Sequence, residues 1–274
     1  MTVLVTGATG SVGREIVREL LEWGERVRAL TRHPESASFP PGVDVVGGDL
    51  TDPDSLRGVF DGVSAAHLIT FGGELFAPLT TGPQIIDLAE RAGVRRLTVL
   101  HGGGATPLES AVRASGLDWT VVMPVEFMSN ALEWAPGIKE HDEVREPYAD
   151  RLSAMVHEGD IGAVAAVALT EEGHAGREYL VTGPEVLSLT DKTKAIAQAR
   201  GRAVALVELT PEEAQAQWRA SGMPEDTVAF LVDVYGNTPP EGRTVTDVVP
   251  RVTGRPARTF AEWAAAHAEA FRAE

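Results

Sequence analysis

Apolar and polar positions along the chain follow two periods in turn. Thr2 to Thr6 is a short, β-branched apolar run, the pattern of a buried strand. Val12, Ile16, Val17, Leu20 and Leu21 follow at helical spacing and predict an amphipathic helix. The exchange then repeats. Strands are predicted over residues 26–31, 43–47, 65–69, 96–100 and 119–123. Helices are predicted from Pro53 through Phe60, over 83–92 with a stop at Gly93, and over 107–115 with a stop at Gly116. Regular alternation of this kind requires a parallel sheet with right-handed crossovers and helices on both faces.

Beyond Pro124 the alternation loosens. A short helix is expected through Trp134, ended by Pro136-Gly137, and a polar loop from there to Asp150. Residues 160–169 read as helix and 178–182 as one more strand. Ser188-x-x-Asp191, Thr210-Pro-Glu-Glu213 and Thr259-x-x-Glu262 carry helix-start signals. The expected organisation is a nucleotide-binding domain over residues 1–133 and a smaller, substrate-covering α+β lobe over 134–274, interleaved with the first.

The first strand–helix junction holds the main candidate chemistry, Gly7-x-x-Gly10-x-x-Gly13. Gly7 makes the tight turn out of the strand. Gly10 removes a Cβ that would hold a diphosphate off the backbone, and Gly13 lets the helix lie close on the sheet. The helix start offers N–H groups and a positive dipole end to an anion. Between a strand and an amphipathic helix, this spacing reads as a dinucleotide site. At the end of the second strand, where NAD-specific sites place an acid, stand Thr31 and Arg32. A guanidinium matches a 2′-phosphate, so NADP(H) is the expected cofactor; Arg14 offers a second positive contact, and ordinary solvated arginines are the alternative. Asp49 is placed to meet an adenine amino group or to cap a turn. Phe71-Gly72-Gly73 lies at the carboxyl end of a strand, where open α/β sheets bind ligands.

Composition sharpens this by exclusion. Cysteine is absent, which removes disulfides, thiolate nucleophiles and Cys metal sites. The seven histidines lack His-Glu-x-x-His or similar spacing, so no metal is expected. A formal charge of −16 repels phosphate backbones, so nucleic acid is not an expected partner. No apolar run reaches membrane-spanning length, and a strand starting at residue 2 leaves no room for a signal peptide. A cytoplasmic protein acting on a small molecule is expected, its oligomeric state left open.

The motifs together resemble a family. Thr6-Gly7-Ala8-Thr9-Gly10-Ser11-Val12-Gly13, Thr31-Arg32-His33-Pro34 and Gly48-Asp49-Leu50 are similar to the atypical short-chain dehydrogenases/reductases, more narrowly their NmrA-like, NAD(P)H-binding branch. Arg113-Ala-Ser-Gly116-Leu-Asp-Trp119-Thr, Pro124-x-x-Phe127-Met-x-Asn130, Asp160-Ile-Gly-Ala-Val-Ala and Tyr179-Leu-Val-Thr-Gly183-Pro extend the likeness over most of the chain. The resemblance implies a Rossmann-type doubly wound parallel sheet and a substrate cleft beside the nicotinamide. It implies that Gly7, Thr9, Gly10, Ser11, Val12 and Gly13 line the diphosphate and that Arg32 meets the 2′-phosphate. Asp49 and Leu50 would meet the adenine, Leu68, Ile69, Thr70 and Phe71 the ribose region, and Met123, Pro124, Val125 and Glu126 would approach the nicotinamide.

One family feature is missing. Reductases of the wider superfamily protonate their substrate with a Tyr-x-x-x-Lys pair. None of Tyr148, Tyr179 and Tyr235 has a lysine four residues on, and the segment 102–110 has neither residue. The remaining proton-transfer candidates are His101, Glu126 and Tyr148. His101 ends a strand beside the predicted cleft, or merely hydrogen-bonds the glycine-rich loop after it. Glu126 qualifies if desolvation raises its pKa; otherwise it is a helix-start carboxylate. Tyr148 lies in the polar loop. Phe71, Phe127, Met128 and Trp134 are the expected apolar wall, or plain core. The favoured function is an NADPH-dependent reductase of a small conjugated or carbonyl/quinone-type substrate. The alternatives are a non-catalytic NADP(H) sensor and a non-redox cyclase or dehydratase.

Overall fold

The strands predicted through the sheet-forming part of the chain all form, each within a residue of its expected ends. They are β1 (Thr2–Val5), β2 (Arg26–Thr31), β3 (Asp44–Gly47), β4 (Ala65–Ile69), β5 (Arg96–Leu100) and β6 (Asp118–Pro124). In this computed structural model, which describes residues 1–73 and 77–273, the chain divides into two units. The first comprises Met1–Pro124, Glu158–Val181 and Val248–Arg255; the second comprises Val125–His157, Thr182–Asp247 and Pro256–Glu274.

Further helices and strands complete the first unit: α1 (Ser11–Glu22), α2 (Gly82–Arg91) and α3 (Pro107–Ala114). With β7 (Glu143–Pro147) and α4 (Ala135–His141) falling in the second unit, the first regains α5 (Glu158–Thr170) and β8 (Arg177–Val181). Among the described residues its seven strands run in the order β8-β6-β5-β4-β1-β2-β3, every neighbouring pair parallel. The order reverses direction at β1, between β2 and β4. That is the Rossmann-type doubly wound arrangement, with its switch point where β1 delivers the glycine loop. Leu4, Leu30, Leu68, Leu97 and Val99 fill the core with Ile85, Leu108 and Val112 from α2 and α3. The Ala/Val-rich α5 is buried on all sides, its first-turn Glu158 and Asp160 included. Its Gly162 permits close contact with α1: a Cβ there would stand 2.7 Å from Glu15 Cβ.

The second unit has its own core of Met128, Trp134, Ile138, Phe260, Trp263 and Phe271. Its helices include α6 (Leu189–Arg200), α7 (Pro211–Ala220), α8 (Glu225–Gly236) and, after α9 (Val248–Thr253) of the first unit, α10 (Phe260–Ala266). The three expected start signals all form complete capping boxes, at Ser188/Asp191, Thr210/Glu213 and Thr259/Glu262. The stretch expected as a polar loop does not stay irregular. Pro136 occupies the first turn of α4, where its missing N–H costs nothing, so it starts a helix rather than ending one. Asp142 then closes α4 in the left-handed conformation (φ 58°), and β7 pairs in parallel with β9 (Ala205–Leu209). Ile138, Val144 and Pro147 are the buried residues that hold this piece down.

Candidate functional site

The glycine loop leaves β1 at Gly7 with φ +59°, a conformation that disfavours any side chain. Ile69 at the end of β4 packs on that glycine, and a Cβ there would fall 2.8 Å from Ile69 Cγ2. Gly10 N–H donates to the Gly7 carbonyl (2.9 Å), and Arg14 N–H to the Gly10 carbonyl (3.0 Å), starting α1. Gly13 is dictated by packing: a Cβ would stand 2.1 Å from the Gly7 oxygen. Gly10 is not. It is exposed, has φ −79°, and its Cβ would meet only the Gly7 oxygen, at 3.3 Å. Nor does a side chain cap α1, although Thr or Ser caps α3, α6, α7 and α10. The loop thus presents a bare helix N-terminus under an open glycine, the cradle that a diphosphate fills.

Arg32, at the end of β2, is exposed, and its charge reaches Asp49. Burial pushes the Asp49 carboxyl up, but the Thr51 N–H and hydroxyl, each 2.8 Å from Oδ1, and the Arg32 guanidinium hold it below the usual range. Arg14 turns elsewhere, donating to the Thr9 carbonyl at 2.9 Å and the Ser38 carbonyl at 3.3 Å, so it ties the glycine loop to the segment after β2. Leu50 and Leu68 both lie with their side chains in the core, so only their backbones remain for a ligand. Val12 is likewise buried, and its contribution is its backbone at the helix start.

The carboxyl ends of β4, β5 and β6 form the rest of this edge. Thr70 is buried and donates to the Leu100 carbonyl at 3.1 Å, linking β4 to β5. Phe71 packs against Gly102, whose Cβ would stand 2.1 Å from the ring's Cε2; a glycine is needed there for the ring to fit. His101 continues the β5–β6 ladder, its N–H donating to the Val122 carbonyl at 2.8 Å. Its Nδ1 is 2.7 Å from Oε1 of the fully buried Glu109, and the ring stays 21% exposed. Met123 and Pro124 end β6 on the same edge, partly buried.

Residues 7–110 match the family model described as NAD(P)H-binding. The chain is 37% identical to the NAD(P)H azoreductase of Xenophilus azovorans over 99% of both chains. It is 38% identical to the (4-alkanoyl-5-oxo-2,5-dihydrofuran-3-yl)methyl phosphate reductase of Streptomyces griseus, over 99% of this chain and 100% of that one. It belongs to the NmrA-like, NAD(P)H-binding family of atypical short-chain reductases. The fold is shared with the Citrobacter sp. triphenylmethane reductase solved with NADP(H): TM-score 0.80, 21% identity, covering 98% of this chain and 100% of that one.

As in the sequence, this family member has no Tyr-x-x-x-Lys pair, and the other proton-transfer candidates separate in the structure. Glu126 is an ion-paired carboxylate in the second unit. Burial opposes its charge, but Lys192 (3.1 Å), Arg151 (3.5 Å) and the Ser153 hydroxyl (2.5 Å) outweigh it and hold the group below the usual range. The condition under which Glu126 serves as an acid, a raised pKa, is therefore not met. Lys192 is itself fully buried and donates to Ser153 Oγ at 2.7 Å. Arg151 joins Glu126 to Glu146 (3.4 Å) and stacks on Tyr235, 3.5 Å from the ring centre. Tyr148 has φ +57°, strained for a tyrosine, and its ring lies over Gly236. It lines a pocket of about 680 Å³ with Arg151, Tyr235, Asn237 and Arg243. Of the expected apolar wall, Met128 and Trp134 belong instead to the second core, the Trp134 indole N–H donating to Glu146 at 2.9 Å. Phe127 is partly buried beside Val156, and Val125 is partly buried before it.

Glu109, Lys192, Ser153 and Arg151 were not singled out from sequence. Thr106-x-x-Glu109 gave a visible signal, that of a capping box, but for another role. Among the described residues no group of three or more His, Asp or Glu is placed to hold a metal, and no helix is long and apolar enough to cross a membrane.

Proposed function

We propose that the chain is an NADPH-dependent reductase that delivers hydride to a small conjugated acceptor: a quinone, an azo compound or an activated enone. The observation that supports this most directly is Gly10, kept free of a side chain where internal packing does not demand it, above an uncapped helix start. NADPH supplies the hydride; the protein's part is to bind, orient and exclude water. Gly7, Thr9, Gly10 and Ser11, with the backbone of Val12 and Gly13, would hold the diphosphate. Arg32 would meet the 2′-phosphate, and Asp49, kept ionised, the adenine amino group. Ile69, Thr70 and Phe71 would border the ribose, and Met123 to Val125 the nicotinamide. Conjugated acceptors suit a site without the Tyr-Lys pair, because they delocalise the incoming charge and need a proton only as the reduced product forms. The azoreductase relative is named for an azo acceptor and the Streptomyces griseus relative for an alkanoyl-oxo-dihydrofuran, both conjugated.

The test is a fluorescence titration with NADPH and NADH, followed by NADPH oxidation in the presence of quinones, azo compounds and enones. NADPH binding tighter than NADH, with turnover of at least one acceptor, is expected. Binding without turnover on any of them would turn the chain into a non-catalytic NADP(H) binder, and no binding would remove the cofactor reading itself.

A further inference from the structure

Three helices of this chain begin with Ser/Thr-x-x-Asp/Glu and close the full capping box, the acid reaching back to the N-cap N–H. Helix α3 begins the same way, Thr106-Pro-Leu-Glu109, and closes only half of it. Thr106 Oγ1 accepts from the Glu109 N–H at 3.2 Å, but the Glu109 carboxylate does not return. It is directed to His101, 2.7 Å from Nδ1, and is completely buried there. With Glu109 as a carboxylate, which only accepts hydrogen bonds, this contact calls for a proton on Nδ1. The other ring nitrogen, Nε2, is then the one left to exchange a proton, on a ring that keeps some solvent exposure at the ligand-binding edge of the sheet.

We infer that His101 is the proton donor that replaces the missing Tyr-Lys pair, and that Glu109 is its positioning residue. This rests on the reductase reading above. As hydride reaches one atom of the conjugated acceptor, the proton on His101 Nε2 passes to the heteroatom that gains the electron pair. The acceptor gains two hydrogens in all, NADPH becomes NADP⁺, and His101 recovers its proton from water through its exposed edge. Glu109 fixes the ring's tautomer and orientation and balances the charge the ring carries while doubly protonated, the arrangement by which a buried carboxylate serves a catalytic imidazole. Arg113 Nη1, 3.6 Å from Glu109 Oε2 and also paired with Glu178 at 2.9 Å, steadies the carboxylate from the far side without competing for Oε1.

The experiment joins a spectroscopic readout on the cofactor-free protein to steady-state kinetics. Long-range ¹H–¹⁵N spectra of ¹⁵N-histidine-labelled protein should show neutral His101 protonated on Nδ1, and E109A should abolish that preference. With a quinone or azo acceptor, H101Q should lower kcat about 100-fold or more and E109A about 10- to 100-fold, the range of general acid catalysis. NADPH Kd should stay within about 2-fold in both, which also shows that the variants are folded. E109Q keeps an acceptor for Nδ1–H and should recover part of both the tautomer and the rate. A neutral wild-type His101 that carries its single proton on Nε2, or an E109A protein with unchanged kcat, overturns the dyad while leaving the reductase intact. A wild-type chain that binds NADPH but reduces no acceptor overturns the reductase reading and the proton-transfer role with it.

Discussion

The buried ionic cluster of the second unit makes a prediction in which removing either half of one ion pair has unequal consequences. Lys192 is fully buried, and its ammonium has two partners, Glu126 at 3.1 Å and the Ser153 hydroxyl at 2.7 Å. Glu126 has three, since Arg151 stands at 3.5 Å and Ser153 donates to it at 2.5 Å. E126Q therefore strands a buried cation with no carboxylate in contact, a change that costs about 3–5 kcal/mol. K192M leaves the carboxylate with Arg151 and Ser153, and the loss should be nearer that of one charged hydrogen bond, about 1.5–3 kcal/mol. In the double variant no charge is stranded, so its loss should be smaller than the sum of the two. The sign of the pH dependence separates this account from a packing defect. Burial holds the Lys192 pKa below its ordinary 10.5, opposed mainly by the Glu126 charge. A lysine whose folded pKa lies below its unfolded value costs stability while charged, and the cost is relieved as pH rises through the folded value. Removing Glu126 widens that window, so part of the E126Q loss should return at pH 9.5 relative to pH 7.5, while K192M has no such recovery. Urea unfolding followed by tryptophan fluorescence reads this directly. At a slope of about 2–3 kcal/mol per M, E126Q should lower the midpoint by about 1–2.5 M. Equal losses in E126Q and K192M, or an E126Q loss that ignores pH, would refute the reasoning.

Two further predictions concern the cofactor edge. Arg32→Ala should weaken NADPH by about 10- to 100-fold, the worth of a charged hydrogen bond of about 1.5–3 kcal/mol, and leave NADH nearly unchanged; equal losses in parallel titrations would detach Arg32 from the 2′-phosphate. Gly10→Ala and Gly13→Ala should part company. Gly10→Ala meets nothing closer than 3.3 Å and should keep the melting temperature within about 2 °C while losing NADPH affinity. Gly13→Ala drives a Cβ to 2.1 Å from the Gly7 oxygen and should lower the melting temperature with or without cofactor. A Gly10→Ala protein that binds NADPH normally would mean that the open glycine serves no ligand.

What the sequence made legible, and what it left hidden, divides along a physical line. The sheet was readable because each strand is a local apolar run and each helix a local period, and because Gly7 and Gly13 answer to backbone geometry within six residues of each other. Residues 135–147 were not, since Val144 is the one apolar residue in a charged strand and Pro136 stands at a junction where the same residue ends one segment and opens the next. Family likeness assigned Leu50 and Leu68 to the cofactor, and Met128 and Trp134 were expected in an apolar wall or plain core; neither reading carried information on which way a side chain faces, and all four face a core. The side-chain chemistry was hidden most deeply, because it depends on partners far apart in sequence: Glu126 meets Lys192 across 66 positions, and no local pattern distinguishes that lysine from a solvated one. Glu109 is the instructive intermediate. Its spacing from Thr106 is that of a helix cap, and the half that depends on its backbone N–H forms. The other half depends on where a free carboxylate finds its best partner, and a histidine delivered by the adjacent strand changed that partner. A motif whose backbone half is kept and whose side-chain half is diverted to a histidine is therefore evidence of a second use for the carboxylate, and for Glu109 that use is to hold His101.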